Sequence, residues 1–215
     1  MNILSFSAGH AAQQVQQPVT GVEGVFHWLD IERSEADWYE QVRPWLDIRS
    51  DERHIKDSIN ATHPPFYDGT DEYDMLVVRA PAQESTTDTL ATGSIALFIT
   101  SGMIISIRPP GDPVFDRQQQ RFLSGERKSP AGPAMLLYLL LDLVTEGLMQ
   151  FRLHIGNRLS TWQDNLLDRE ETFRDWSDLV RLRSQLRQLE LTVESQRDAL
   201  EEWRDRTSLA LEQSL

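Results

Sequence analysis

A heptad seam with alternating three- and four-residue steps runs along the C-terminal part of this 215-residue chain, at Leu179, Leu182, Leu186, Leu189, Val193, Gln196, Leu200 and Trp203, apolar at every position but Gln196. That spacing lines one face of a long helix, and such a face must be covered. Upstream, Ala134–Val144 is almost wholly apolar. It predicts a first long helix entered at Ser129-Pro130 and ending near Leu167, with a second beginning after the acidic turn 168–171. Residues 131–215 are thus expected to form an antiparallel helical hairpin whose seam packs against the first helix, with a dimer zipper as the alternative. The apolar stretch is about eleven residues long, short of the ~20 a bilayer span requires, and reads as a buried helix.

Residues 1–130 read differently. Val25–Ile31 is β-branched and aromatic, and predicts a strand. Tyr73–Arg79, Gly93–Ile99 and Met103–Arg108 predict three more, the last two joined by a turn at Thr100-Ser101-Gly102. The first 24 residues read as a frayed end or a short strand. Ser34 is placed to cap a helix carrying Trp38, Val42 and Trp45, and Asp51–Asn60 suits a second short helix with Ile55 and Ile59 on one side. Asp112-Pro113 opens a third helix that stops at Gly125. The expected fold is α+β or α/β: a mixed sheet sandwiched by helices over 1–130, carrying the hairpin of 131–215 as part of one structural unit.

Net charge is -13, with no basic stripe for nucleic acid or anionic membrane surfaces. An acidic field instead draws cations. There are no cysteines, so thiolate metal sites, disulfides and cysteine nucleophiles are excluded. No phosphate loop, dinucleotide fingerprint or nucleophile elbow occurs, and the chain is read as non-enzymatic. A hydrolase with paired carboxylates is a distant third reading.

Two places carry candidate ligands. His54 and Asp57 lie three apart on the predicted short helix, with His63 just beyond. Asp142 interrupts an apolar run, and Glu146 shares its face one turn later. A carboxylate at the flank of a buried helix is expected to hold an arginine or a cation.

The order of segments resembles the cytoplasmic domain of the CorA-type divalent-cation transporters, which include magnesium channels and a zinc-transport branch. Trp28-Leu29-Asp30-Ile31 is similar to the family's "W-I-D-V" strand, and His54–Asn60 to its "L-x-L-E-D-x-L-N" helix. Glu72–Pro81 resembles its "E-x-Y-x-x-L-V-L-R-A" strand, Leu136–Asp142 its "L-L-Y-x-L-I-D" helix start, and Gln196–Leu200 the end of its second hairpin helix. The resemblance runs from about Phe26 to Trp203.

It implies a cytoplasmic regulatory domain that senses metal, with cation held between subunits of a pentamer closing the pore. Asp57 would be the sensor carboxylate and Asp142 a second one near the same interface. The cation would be Mg2+, or Zn2+, Co2+ or Ni2+, bound weakly by this stretch alone. Lys56 stands where the family often has Glu. The stalk, two membrane helices and pore signature that the family places downstream are not among these 215 residues, so this stretch is expected to be soluble, a monomer or weak dimer, and to belong at the cytoplasmic face of the membrane. A soluble acidic hairpin that binds a partner protein is the alternative.

Overall fold

The computed structural model describes residues 1–7, 9–35, 37–46, 51–86, 89–167 and 176–207. Alternating apolar positions with both faces buried build one mixed sheet. Its strands are β1 (Asn2–Ser7), β2 (Gln13–Gln14), β3 (Val25–Glu32), β4 (Phe66–Gly69), β5 (Asp74–Pro81), β6 (Thr92–Ile99) and β7 (Met103–Arg108). They lie in the order β2-β1-β3-β7-β6-β5-β4, with β3 and β7 parallel and the other neighbours antiparallel.

Strand periodicity sends alternate residues to opposite faces, and both faces are apolar. Leu29, Ile31, Met75, Val77, Phe98, Ile105 and Ile107 meet α1 (Trp38–Val42) and α2 (Glu52–Ser58) through Trp38, Val42 and Ile55. Phe6, Trp28, Leu76, Val78, Leu97 and Ile104 face α3 (Pro113–Leu123) and α4 (Pro133–Leu167). The expected sheet between helices is therefore present.

The short helices follow local chemistry. Asp112 caps α3, accepting from the Val114 amide at 2.8 Å, with Pro113 in the first turn. At its other end Gly125 takes φ 75°, a conformation that favours glycine. The helix expected from Ser34 through Trp45 shrinks to Trp38–Val42, with Asp37 and not Ser34 at its start. Pro44 explains its end: Arg43 before it still has helical dihedrals, φ -47° and ψ -38°, but proline has no N–H to carry the helical hydrogen bonds further.

At 35 residues, α4 is about 52 Å long. Seven strands spaced by about 4.8 Å make a sheet only about 34 Å wide, so part of α4 overhangs. Its first half, with Leu136, Leu137, Leu140 and Val144, packs on the sheet. Its second half, with Leu148, Phe151, Ile155 and Trp162, meets Leu179, Leu182, Leu186 and Leu189 of α5 (Trp176–Arg206). Arg158 late in α4 reaches Asp178 early in α5 at 3.9 Å, as an antiparallel hairpin requires. By length and composition alone α4 is apolar enough to cross a membrane, but here its buried face is core. The acidic turn expected at 168–171 lies outside the described residues.

The seam on α5 does not keep a single partner. Val193 is 46% exposed, and beyond it Ala199, Leu200 and Trp203 pack against the sheet cluster. A glutamine on α5, Gln196, also finishes the sheet. Pro64 and Pro65 stop β4 before it can pair along the rest of β5, and the Arg79 amide donates to Gln196 Oε1 at 2.9 Å. Trp203 Nε1 donates to buried Asp74 Oδ2 at 3.1 Å, and the Thr207 hydroxyl donates to the same oxygen.

Candidate metal centre

Helix α2 positions Asp57. Its first residue follows Asp51, whose carboxylate accepts the Arg53 amide at 2.8 Å. Hydrogen bonds from the Arg53 side chain, then from its amide, hold the Asp51 carboxyl down at about 2. His54 and Ser58, one turn apart, are the buried face. Trp38 Nε1 donates to Ser58 Oγ at 3.2 Å, which fastens α2 to α1. Asp57 is thereby turned outward, with 37% of its side chain exposed.

His54 is committed elsewhere. Tyr73 Oη accepts the Asp51 amide at 3.0 Å and donates to His54 Nδ1 at 2.7 Å; His54 Nε2 then donates to Asp68 Oδ2 at 3.1 Å. Both ring nitrogens are thus spent, and His54 does not join Asp57 as a ligand. His63 does approach. The Asn60 side chain accepts from the Thr62 amide and hydroxyl, and the His63 amide bonds to Asn60 O at 3.2 Å. This turn returns the His63 ring to α2, where Nε2 stands 3.7 Å from Asp57 Oδ1.

Asp142 lies on the other side of the molecule. Helix α2 packs on one sheet face and α4 on the other, so the sheet separates Asp57 from Asp142 within one chain. The expectation that Asp142 needs an arginine or cation to offset burial is not met, because Asp142 is exposed to solvent while Leu141 and Leu143 turn inward. Glu146 is also exposed and accepts from Gln150 at 3.0 Å. Among the described residues no group of three or more His, Asp or Glu is placed to hold a metal ion. A single subunit therefore presents half-sites: an exposed carboxylate on each face, suited to a hydrated divalent ion that takes one or two carboxylates and keeps its waters.

The densest buried polar cluster was not anticipated. Asp30 on β3 accepts from Arg108 Nε at 2.8 Å, Ser106 Oγ at 2.6 Å and Gln119 Nε2 at 2.5 Å. Arg108 Nη2 also donates to Asp116 at 2.6 Å. Burial lifts the Asp30 carboxyl above its ordinary range, against the pull of Arg108 and these donors. The cluster opens on a cleft of about 390 Å³ whose other carboxylates, Glu35 and Glu32, accept from the Met1 amine (2.7 Å) and the Gly111 amide (2.8 Å). Its carboxylates are matched by protein donors, which makes it a structural centre. The signal in the sequence was a charge at each end of the pairing, inside or closing an apolar strand.

Residues 23–214 match the family described as CorA-like Mg2+ transporter protein, and the chain belongs to that family. Solved structures agree on the fold. The complete CorA magnesium transporter of Methanocaldococcus jannaschii superposes with a TM-score of 0.76 at 14% identity, over 100% of this chain and 66% of that one. The soluble domain of the same transporter gives 0.74 at 17% identity, covering 99% of this chain and 82% of that one. The ZntB cytoplasmic domain of Vibrio parahaemolyticus gives 0.72 at 19% identity, covering 98% and 81%. The chain thus spans about two thirds of the complete transporter it resembles. No curated protein matches it at a significant level.

Proposed function

We propose that this chain is the cytoplasmic, cation-sensing region of a CorA-like divalent-cation transporter. The observation that carries the reading is the family match over 23–214. Asp57 serves as the sensor carboxylate, with Asp142 supplying a second oxygen donor. Because the two lie on opposite faces of one subunit, both can contribute to one ion only from neighbouring subunits. Cation bound in that arrangement shifts the population toward it, in proportion to its differential affinity for the two states. Mg2+ is the first candidate, with Zn2+, Co2+ and Ni2+ alongside, and a pentamer is the assembly the complete transporter would form.

The test is a thermal shift of the 215-residue chain and of Asp57→Ala against Mg2+ and Co2+. Cation bound to the folded form raises the melting temperature in proportion to the logarithm of its concentration above Kd. The parent is expected to be stabilised and Asp57→Ala not; equal stabilisation of both removes Asp57 from the site. The alternative, an acidic hairpin that docks a partner protein, is favoured by Met149, Leu153, Val180 and Leu191, which are exposed on α4 and α5.

A further inference from the structure

We infer that His63 is a second donor of the Asp57 centre, and that it biases this centre toward cations that take a nitrogen ligand, Zn2+, Co2+ and Ni2+, over Mg2+; the inference rests on the sensing role proposed for Asp57. The tautomer follows from geometry. His63 Nδ1 lies 2.8 Å from the Pro64 carbonyl oxygen, which can only accept, so Nδ1 carries the hydrogen. In the neutral ring the lone pair then belongs to Nε2, and Nε2 faces Asp57 Oδ1 at 3.7 Å. That separation is too long for a hydrogen bond.

Two lone-pair atoms held that far apart suit two ligands of one ion. With bonds of about 2.1 Å, tetrahedral geometry sets neighbouring ligand atoms about 3.4 Å apart. The octahedral geometry of Mg2+ sets them about 2.9 Å apart. The observed gap closes on a tetrahedral ion with a shift of about 0.3 Å and on Mg2+ only with about 0.8 Å. Imidazole prefers Zn2+ and Ni2+, whereas Mg2+ takes oxygen ligands. The ring is also held in place: a backbone carbonyl on the far nitrogen is a usual support for a metal-ligating histidine, and the Phe66 ring lies 5.5 Å away. Only 15% of the His63 side chain is exposed, while Asp57 stays open to solvent, leaving the remaining positions to water or a donor from another subunit. Lys56 is exposed beside Asp57, and Arg53, spent on Asp51, precedes it by one turn. Their repulsion acts on every divalent ion alike, so the nitrogen donor decides between them.

The test uses the uniformly 15N-labelled 215-residue chain and the metal salts alone. Two-bond 1H–15N spectra follow the His63 ring while Zn2+ or Mg2+ is added, and calorimetry measures affinity for the parent, His63→Phe and Asp57→Asn. The expected result is a saturable Zn2+ shift at His63 Nε2 that Mg2+ does not produce, with Zn2+ affinity at least tenfold weaker in His63→Phe and Mg2+ affinity unchanged. An unmoved Nε2 resonance up to millimolar Zn2+ overturns the inference, whether or not the variants fold. So does unchanged Zn2+ affinity in His63→Phe; if Asp57→Asn still loses the ion, the sensing role of Asp57 survives. Parent-like binding of both cations by Asp57→Asn removes that role as well, and the inference with it.

Discussion

Arg108 Nε lies 2.8 Å from Asp30 Oδ2 and ties together the two strands that run parallel at the centre of the sheet. Both side chains are buried, so each depends on the other for its solvation. Arg108→Met removes the cation and leaves the carboxylate stranded, at an expected cost of about 3–5 kcal/mol. Replacing both, as Asp30→Leu with Arg108→Met, restores much of that loss, because the desolvation of both charges disappears. Urea unfolding of the parent and the two variants measures this; a loss below about 1 kcal/mol in Arg108→Met would mean the pair is not holding the strands.

Tyr67 donates its hydroxyl to Asp74 Oδ1 at 3.0 Å. Burial, then the neighbouring Asp74 carboxylate, pushes its ionisation up from 10.0 to about 12. The unfolded chain therefore releases this proton first. The stability tied to Tyr67 is complete below pH 10.0 and is lost as pH rises toward about 12. Tyr67→Phe should flatten that part of the profile, and denaturant midpoints across this range will show whether it does.

Trp203 fastens the end of α5 to the sheet through Asp74. Trp203→Phe keeps most of the ring contact but takes one donor from a buried carboxylate, with an expected loss of about 1.5–3 kcal/mol. Hydrogen exchange should show the loosening concentrated at the C-terminal end of α5 and along β5. Uniform loosening across the chain would argue against a local clamp.

Exposed Asp142 gives the opposite expectation. Asp142→Asn should leave stability within about 0.5 kcal/mol of the parent. Any loss of cation response in this variant then reports a missing ligand and not a damaged fold. Calorimetric unfolding with and without Mg2+ separates the two effects.

Periodicity carried the large elements, because long apolar stripes and alternating strands have strong local signatures. Val25–Ile31 was readable as a strand, and it extends one residue further, to Glu32. Phe66–Gly69 was not, since four residues behind two prolines offer no alternation; β4 exists because β5 supplies its partner. The seam was legible, but its change of partner at Val193 was not, because it depends on α4 being longer than the sheet it crosses. At the candidate site, the closeness of His54, Asp57 and His63 in sequence concealed their division of labour. Tyr73 and Asp68, contributed by the β4–β5 hairpin, take His54 away. Asp142 misled for a related reason: its neighbours in sequence are apolar, but a helix turns every third or fourth residue to a different environment.

The Gln196 cap on Arg79 also sets a timetable for synthesis. These partners are 117 residues apart, so at roughly 5–20 residues per second the open edge of β5 waits roughly 6–23 s for its cover to be made. During that interval the nascent chain offers a bare strand edge to any neighbour able to add a strand. The two prolines that deny β5 a longer partner within the chain also leave it exposed until α5 arrives, and substitutions that weaken the cap should be felt first as lower yield of folded protein, before any change in the finished molecule.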